Sequence, residues 1–164
     1  VGGVAFTLQE DVRLEFVTSN GTAEISVDAA QRVELFVAAE DTSGASLKSV
    51  DDVITAISAQ ATLADSAEVV VAGHSGQVVD LADGPTTSTP VLAVGVDPTN
   101  LQPWAPPVTG RIWILDTDRG LIVIAAGTLS EVSDASGAVA VAEQVATTIA
   151  LIDGPGLGLA PPTP

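Results

Sequence analysis

The chain has no cysteine and no methionine, a single histidine, and only 5 Lys and Arg against 21 Asp and Glu. Each shortage removes a class of chemistry. Without cysteine there are no disulfides, thiolate metal ligands or cysteine nucleophiles. Without methionine the chain does not start at its own initiation codon, so we expect a processed mature form or an excised domain. One histidine is too few for a zinc site, which takes several nitrogen or sulfur ligands. The shortage of positive charge leaves a formal net charge of -16. Such a chain repels the phosphates of nucleic acid and the headgroups of anionic lipid. No uninterrupted stretch of about 18 apolar residues occurs, so no helical membrane span is expected. The acidity reads first as solubility in a secreted or salt-exposed protein, and second as a surface that steers a cation or a basic partner.

What is present is an aliphatic chain of 164 residues, 46% hydrophobic but only 3% aromatic, with mean hydropathy +0.44. That length and apolar content suit one domain with a sizeable core. The first forty residues alternate at the period of half-buried strands, in Gly3–Leu8, Val12–Phe16, Ala23–Val27 and Arg32–Val37. Asn20-Gly21 marks a hairpin, and we expect a meander of antiparallel strands. After a polar loop over Glu40–Leu47, Ser49 can cap a helix whose Val50, Val53, Ile54 and Ile57 share one face. Asp51 and Asp52 then serve as first-turn charges rather than as a catalytic pair. Glu68–Ala72 and Gln77–Leu81 read as strands around a Gly73–Gly76 turn. Asp83-Gly84-Pro85 opens a Thr/Ser-rich loop, Val91–Val96 is a strand, and Asp97–Pro107 is a proline-rich loop.

Arg111–Asp116 and Leu121–Ala125 form the clearest hairpin, turned by Asp118, Arg119 and Gly120. Their continuous apolar runs predict central strands covered on both faces. Ser136–Ile152 reads as a helix with Val141, Val145, Ile149 and Ile152 as its stripe, ended by Gly154-Pro155. The pattern predicts an α+β domain over residues 1–153: a mainly antiparallel sheet covered by two or three helices. Residues 154–164 are Gly/Pro-rich and read as a tail or linker.

Candidate chemistry is sparse. Gly73-His74-Ser75-Gly76 after an apolar strand resembles a nucleophile elbow, but that turn needs Gly-x-Ser-x-Gly and a following helix. Here the second glycine comes one residue early, a strand follows, and the only histidine adjoins the serine. A Gly-rich turn with a solvent-facing His74 is the better reading. Asp116 and Asp118 alternate on one strand face, and with Asp97 they are the weak candidates for a hard cation. No catalytic set and no cofactor motif is found. Trp104, with Pro106 and Pro107, is either a plug over a satellite core or an exposed anchor for a partner; Trp113 reads as core.

Two segments carry a resemblance. Val69–Asp80 follows the pattern strand, Gly-rich turn, strand ending in Val-Asp. Gly110–Ile124 follows Gly-Arg, apolar strand, Asp turn, apolar strand, and an alanine-rich helix closes both. This order, over roughly Val50–Ile152, resembles secreted or lipid-anchored actinobacterial domains of the PsbP-like α/β/α sandwich type. The resemblance implies a non-enzymatic accessory or binding module, as in the photosynthetic relatives that are extrinsic subunits of a membrane complex. It supplies no catalytic residues. We therefore expect an extracytoplasmic accessory or protein-interaction domain of a bacterial cell envelope, with a protein partner or envelope complex. The alternatives are a carrier of small apolar ligands and a carboxylate-based cation binder or enzyme.

Overall fold

A computed structural model describes residues 2–6, 13–17, 21–83, 89–118, 120–129, 134–148, 150–153 and 158–159. In chain order the elements are β1 (Gly2–Phe6), β2 (Arg13–Val17), β3 (Ala23–Ser26), β4 (Gln31–Asp41), α1 (Val50–Ser58), β5 (Thr62–Val71) and β6 (His74–Asp83). They continue with β7 (Leu92–Val94), β8 (Gln102–Trp104), β9 (Thr109–Thr117), β10 (Gly120–Thr128), α2 (Ser136–Thr148), β11 (Ala150–Asp153) and β12 (Gly158–Leu159). The fold is α+β: a mainly antiparallel sheet with two helices among the described residues. Its strand order is β2-β3-β4-β10-β9-β6-β5, and the β7–β8 hairpin joins through β4. β4 changes neighbour along one edge, pairing β3 at Arg32–Leu35 and β7 at Ala38–Asp41.

The β9–β10 hairpin is central, as its apolar runs predict. Alternation sends its side chains to opposite faces. Trp113, Leu115, Ile122, Ile124 and Ala126 join the core under α2. Ile112, Ile114, Leu121, Val123 and Ala125 join the core under α1 and the β7–β8 hairpin. Ile112, Ile114, Val123 and Ile124 are each 0% exposed, and burying such a side chain contributes about 1.5–3 kcal/mol.

The helices are held at their ends as well as by packing. Ser49 and Asp52 complete a capping box at α1, which buries Val53 and Ile57. At α2, Asp134 accepts hydrogen bonds from Ser136 N–H and Oγ, and Gln31 Oε1 accepts from Ala138 N–H at 3.0 Å. A residue at the start of β4 thereby pins a helix more than 100 positions later.

Several sequence expectations are corrected. β1 does not join the meander, which is β2-β3-β4; it pairs antiparallel with β11 and parallel with β12 in a separate sheet. The closing helix ends at Thr148, and Ile152 lies in β11. The aliphatic run Ala150-Leu151-Ile152 favours the extended chain, where strand pairing satisfies its backbone. The buried stripe of α2 is Ala138, Ala142, Val145 and Ala146, with Val141 only half-buried. Alanine lets the helix approach the bulky Ile, Leu and Trp of the sheet closely. Gly158–Leu159, in the segment read as a tail, forms β12. Ile149, Arg119 and the Gly84–Pro85 loop start lie outside the described residues.

The Gly-rich turn is shorter than the sequence suggests. Val71 pairs directly with His74, leaving a two-residue turn of Ala72 (φ 51°) and Gly73 (φ 85°). Two successive positive φ values match the twist of antiparallel strands. His74, Ser75 and Gly76 therefore belong to β6. Gly76 sits against β9, where an added Cβ would lie 2.0 Å from the Ile114 carbonyl oxygen.

Candidate functional site

The proline-rich loop folds inward. Trp104 is 5% exposed, its ring 4.8 Å from that of Phe36. Its indole N–H donates to Glu34 Oε2 at 2.9 Å. Pro106 and Pro107 are buried, and Pro107 lies against Gly127. The anchor reading of Trp104, Pro106 and Pro107 is thus corrected: the indole fills a core, because a large aromatic with one polar handle is well served by apolar walls and one acceptor.

Glu34 is the residue the sequence hid. It sits among alternating charges that read as a wet face, yet β7–β8 covers that face. Its side chain is 18% exposed and its Oε1 is 3.7 Å from Arg32, which also faces Glu24 at 3.7 Å. Burial pushes the Glu34 carboxyl above the usual range, against the pull of Arg32 and the Trp104 N–H. It lines a small pocket of about 210 Å³ with Phe36, Val94, Gln102 and Trp104.

Arg111 makes the second charged network. Its Nε and Nη2 donate to Asp80 Oδ1 and Oδ2 at 2.6 and 3.1 Å, and Nη1 donates to Glu143 Oε1 at 3.0 Å. The guanidinium also lies 5.9 Å from the Trp113 ring. Asp80 is on β6 and Glu143 on α2, so this fork clamps the helix to the sheet. A planar donor shared by two carboxylates is a positioning device.

The weak metal candidates do not converge. Asp97 Oδ1 accepts from Thr99 N–H and Oγ1 at 2.9 and 2.7 Å, and these bonds hold its carboxyl below the usual range. Asp116 is the penultimate residue of β9 and Asp118 lies in the following turn, both exposed. Among the described residues no group of three or more His, Asp and Glu side chains could hold a metal ion. Ser75 lies within β6 with no helix after it, which removes the geometry of an elbow.

One surface stands apart. β5 ends the sheet, and among the described residues it pairs with β6 alone. It is 10 residues long and exposed along most of its length, and Val70 is 71% exposed. Beside it lies a cleft of about 680 Å³ lined by Asp51, Glu68, Val70, Ser75, Gln77 and Asp116, among others. Gln77 Nε2 bridges to Asp51 Oδ1 at 3.4 Å, joining the sheet to the start of α1. Among the described residues the lining holds three carboxylates and no Lys or Arg. A second cleft, of about 380 Å³, runs between α1 and the loop after β4. Its carboxylates, Asp41 and Asp52, already hold turn and cap N–H groups.

Comparison with known proteins adds no relative: no family model matches the chain, and neither a curated protein nor a solved structure matches it.

Proposed function

We propose that this domain is a non-enzymatic interaction module, working outside the cytoplasm as an accessory or extrinsic subunit of a larger assembly on a bacterial cell envelope. The observation that carries this reading is the outer edge of β5, ten residues that pair only with β6 among the described residues. A strand edge presents a row of N–H and C=O groups, and folded proteins commonly cover or shorten it. A long open edge on a rigid sheet is a template for another chain.

The resemblance to PsbP-like α/β/α sandwich domains belongs to this reading, and a helix packed on each face of an antiparallel sheet supports it. The charge of -16 supports a solvated, salt-exposed setting. The carrier reading asks for room between sheet and helices. There, Val53, Ile57 and Val79 fill one interlayer and Ala138, Ala142 and Ile124 the other, each 0% exposed. The cation reading asks for converging carboxylates, and Asp97 is tied to its own turn.

Affinity purification of the tagged full-length protein from the envelope of its source organism, with cross-linking mass spectrometry, tests the proposal. A stoichiometric partner cross-linked through the exposed Lys48 or the acidic surface is the expected result. Recovery of the protein alone would overturn the reading.

A further inference from the structure

We infer that β5 accepts an extended basic segment of a partner protein as an added strand, with basic side chains directed into the acidic cleft at the start of α1. This rests on the interaction-module reading and names the partner's chemistry. The register supplies the pattern. Glu68 pairs with Gln77 and Val70 with Ser75, and Gly76 pairs with Leu115. Glu68, Val70, Ser75, Gln77 and Asp116 therefore share one face of the sheet, and all five line the cleft. A strand added beyond β5 would place residues on that face about 5 Å from Glu68 and Val70. Two residues apart, it would meet first a carboxylate and then an exposed aliphatic side chain. The complementary segment reads basic–x–apolar.

Charge decides between occupants. A second copy of this chain would bring Asp65 and Glu68 of one β5 near their counterparts, and two bodies of charge -16 repel. A single metal ion needs ligands within one coordination shell, and among the described residues no three carboxylates approach closely enough. Carboxylates spread along a cleft instead match an extended chain, whose same-face residues repeat about every 6.8 Å. Asp52 is committed to the capping box, whereas among the described residues Asp51 meets only the long Gln77 contact. Asp51, Glu68 and Asp116 thus face the cleft with no basic neighbour among the described residues of its lining.

The test uses the full chain and a blocked octapeptide repeating Lys-Thr-Val-Thr, with the Glu-Thr-Val-Thr repeat as its counterpart. Fluorescence polarisation measures affinity, and amide hydrogen exchange locates the contact. We expect the lysine peptide alone to bind, with new protection along β5. Glu68→Lys should weaken it about tenfold, Glu68→Gln less, and Asp118→Lys, outside the cleft, less than about twofold. Circular dichroism confirms the fold of each variant. The inference is overturned by no binding, by equal binding of the glutamate peptide, or by protection away from β5. It is also overturned if the free protein sediments as a dimer with β5 already protected, which makes a second copy the occupant. A native partner that cross-links away from β5 would sink this inference alone; the module reading falls only when no partner is found.

Discussion

Substituting Gly76 by alanine should strike the sheet at the junction that carries the open edge. Gly76 lies in β6 with β5 on one side and β9 on the other. An added Cβ would stand 2.0 Å from the Ile114 carbonyl oxygen and 3.0 Å from the Ile114 carbon and Leu115 Cα. These are backbone atoms of a central strand, so no side-chain rotation relieves the overlap. Reaching an ordinary contact of about 3.2 Å moves β6 from β9 by roughly 1 Å, which lengthens ladder hydrogen bonds beyond useful range. Overpacking of a well-fitted interior costs about 1–3 kcal/mol, and a rigid obstacle places this case near 3 kcal/mol. For a chain of this size that is a fall in Tm of roughly 6–12 °C. Gly73→Ala is the matched control. Nothing lies within 4 Å of its Cβ position, and only its φ of +85° opposes a side chain, a cost of about 1–2 kcal/mol. Calorimetry of both variants gives the order, and hydrogen exchange should show β5 and β6 losing protection first in Gly76→Ala. The steric argument is refuted if Gly76→Ala melts within about 2 °C of the parent or above Gly73→Ala.

Trp104→Phe keeps the contact with Phe36 but removes the N–H given to Glu34; urea unfolding should show a loss of about 1–3 kcal/mol, and an unchanged midpoint would contradict the role of that bond. Glu34 also sets part of the pH dependence. Its folded value is raised by burial, so the stability it gives by holding a proton is complete below the ordinary glutamate value and lost as pH rises through the folded value. Asp28, Asp41, Asp52, Asp97 and Asp134 are lowered by turn and cap hydrogen bonds, so their contributions are lost as pH falls. Glu34→Gln should therefore steepen the decline in stability between about pH 6 and pH 3; a shallower decline would reverse the sign argued here. Arg111→Lys should weaken the clamp on α2 by about 1 kcal/mol, because an ammonium cannot fork onto Asp80 while reaching Glu143. Hydrogen exchange in α2 is the readout, and unaltered protection would show the helix to be held by packing alone.

Much of the fold was legible because its signals are local. Ser49 and Asp52 announced the start of α1, since a capping box needs only residues three positions apart. Continuous aliphatic runs announced β9 and β10 as central, since strands covered on both faces have no wet side to mark. The same logic misread β4: Arg32 and Glu34 alternate with Val33 and Leu35 like a solvent face, but the β7–β8 hairpin folds over part of it and half-buries Glu34. Trp104 was open between plug and anchor because proline-rich loops carry no period that assigns an inside. Ile152 was placed on the helix because its spacing from Val145 suits a helical stripe, and only pairing with β1 makes the strand the better partner for that backbone.

By itself the sequence determined the class of fold, the strand-dense core, the cap of α1 and the chemistry that is excluded, because composition and neighbours within a few positions decide each of these. Only the tertiary structure decided which strand ends the sheet, that Asp97, Asp116 and Asp118 form no metal-holding group, and that Asp51, Glu68 and Asp116 line one cleft. Those facts depend on pairing between segments tens of residues apart. Such pairing is fixed by how side chains fill shared space on each face of the sheet, and no local pattern encodes it.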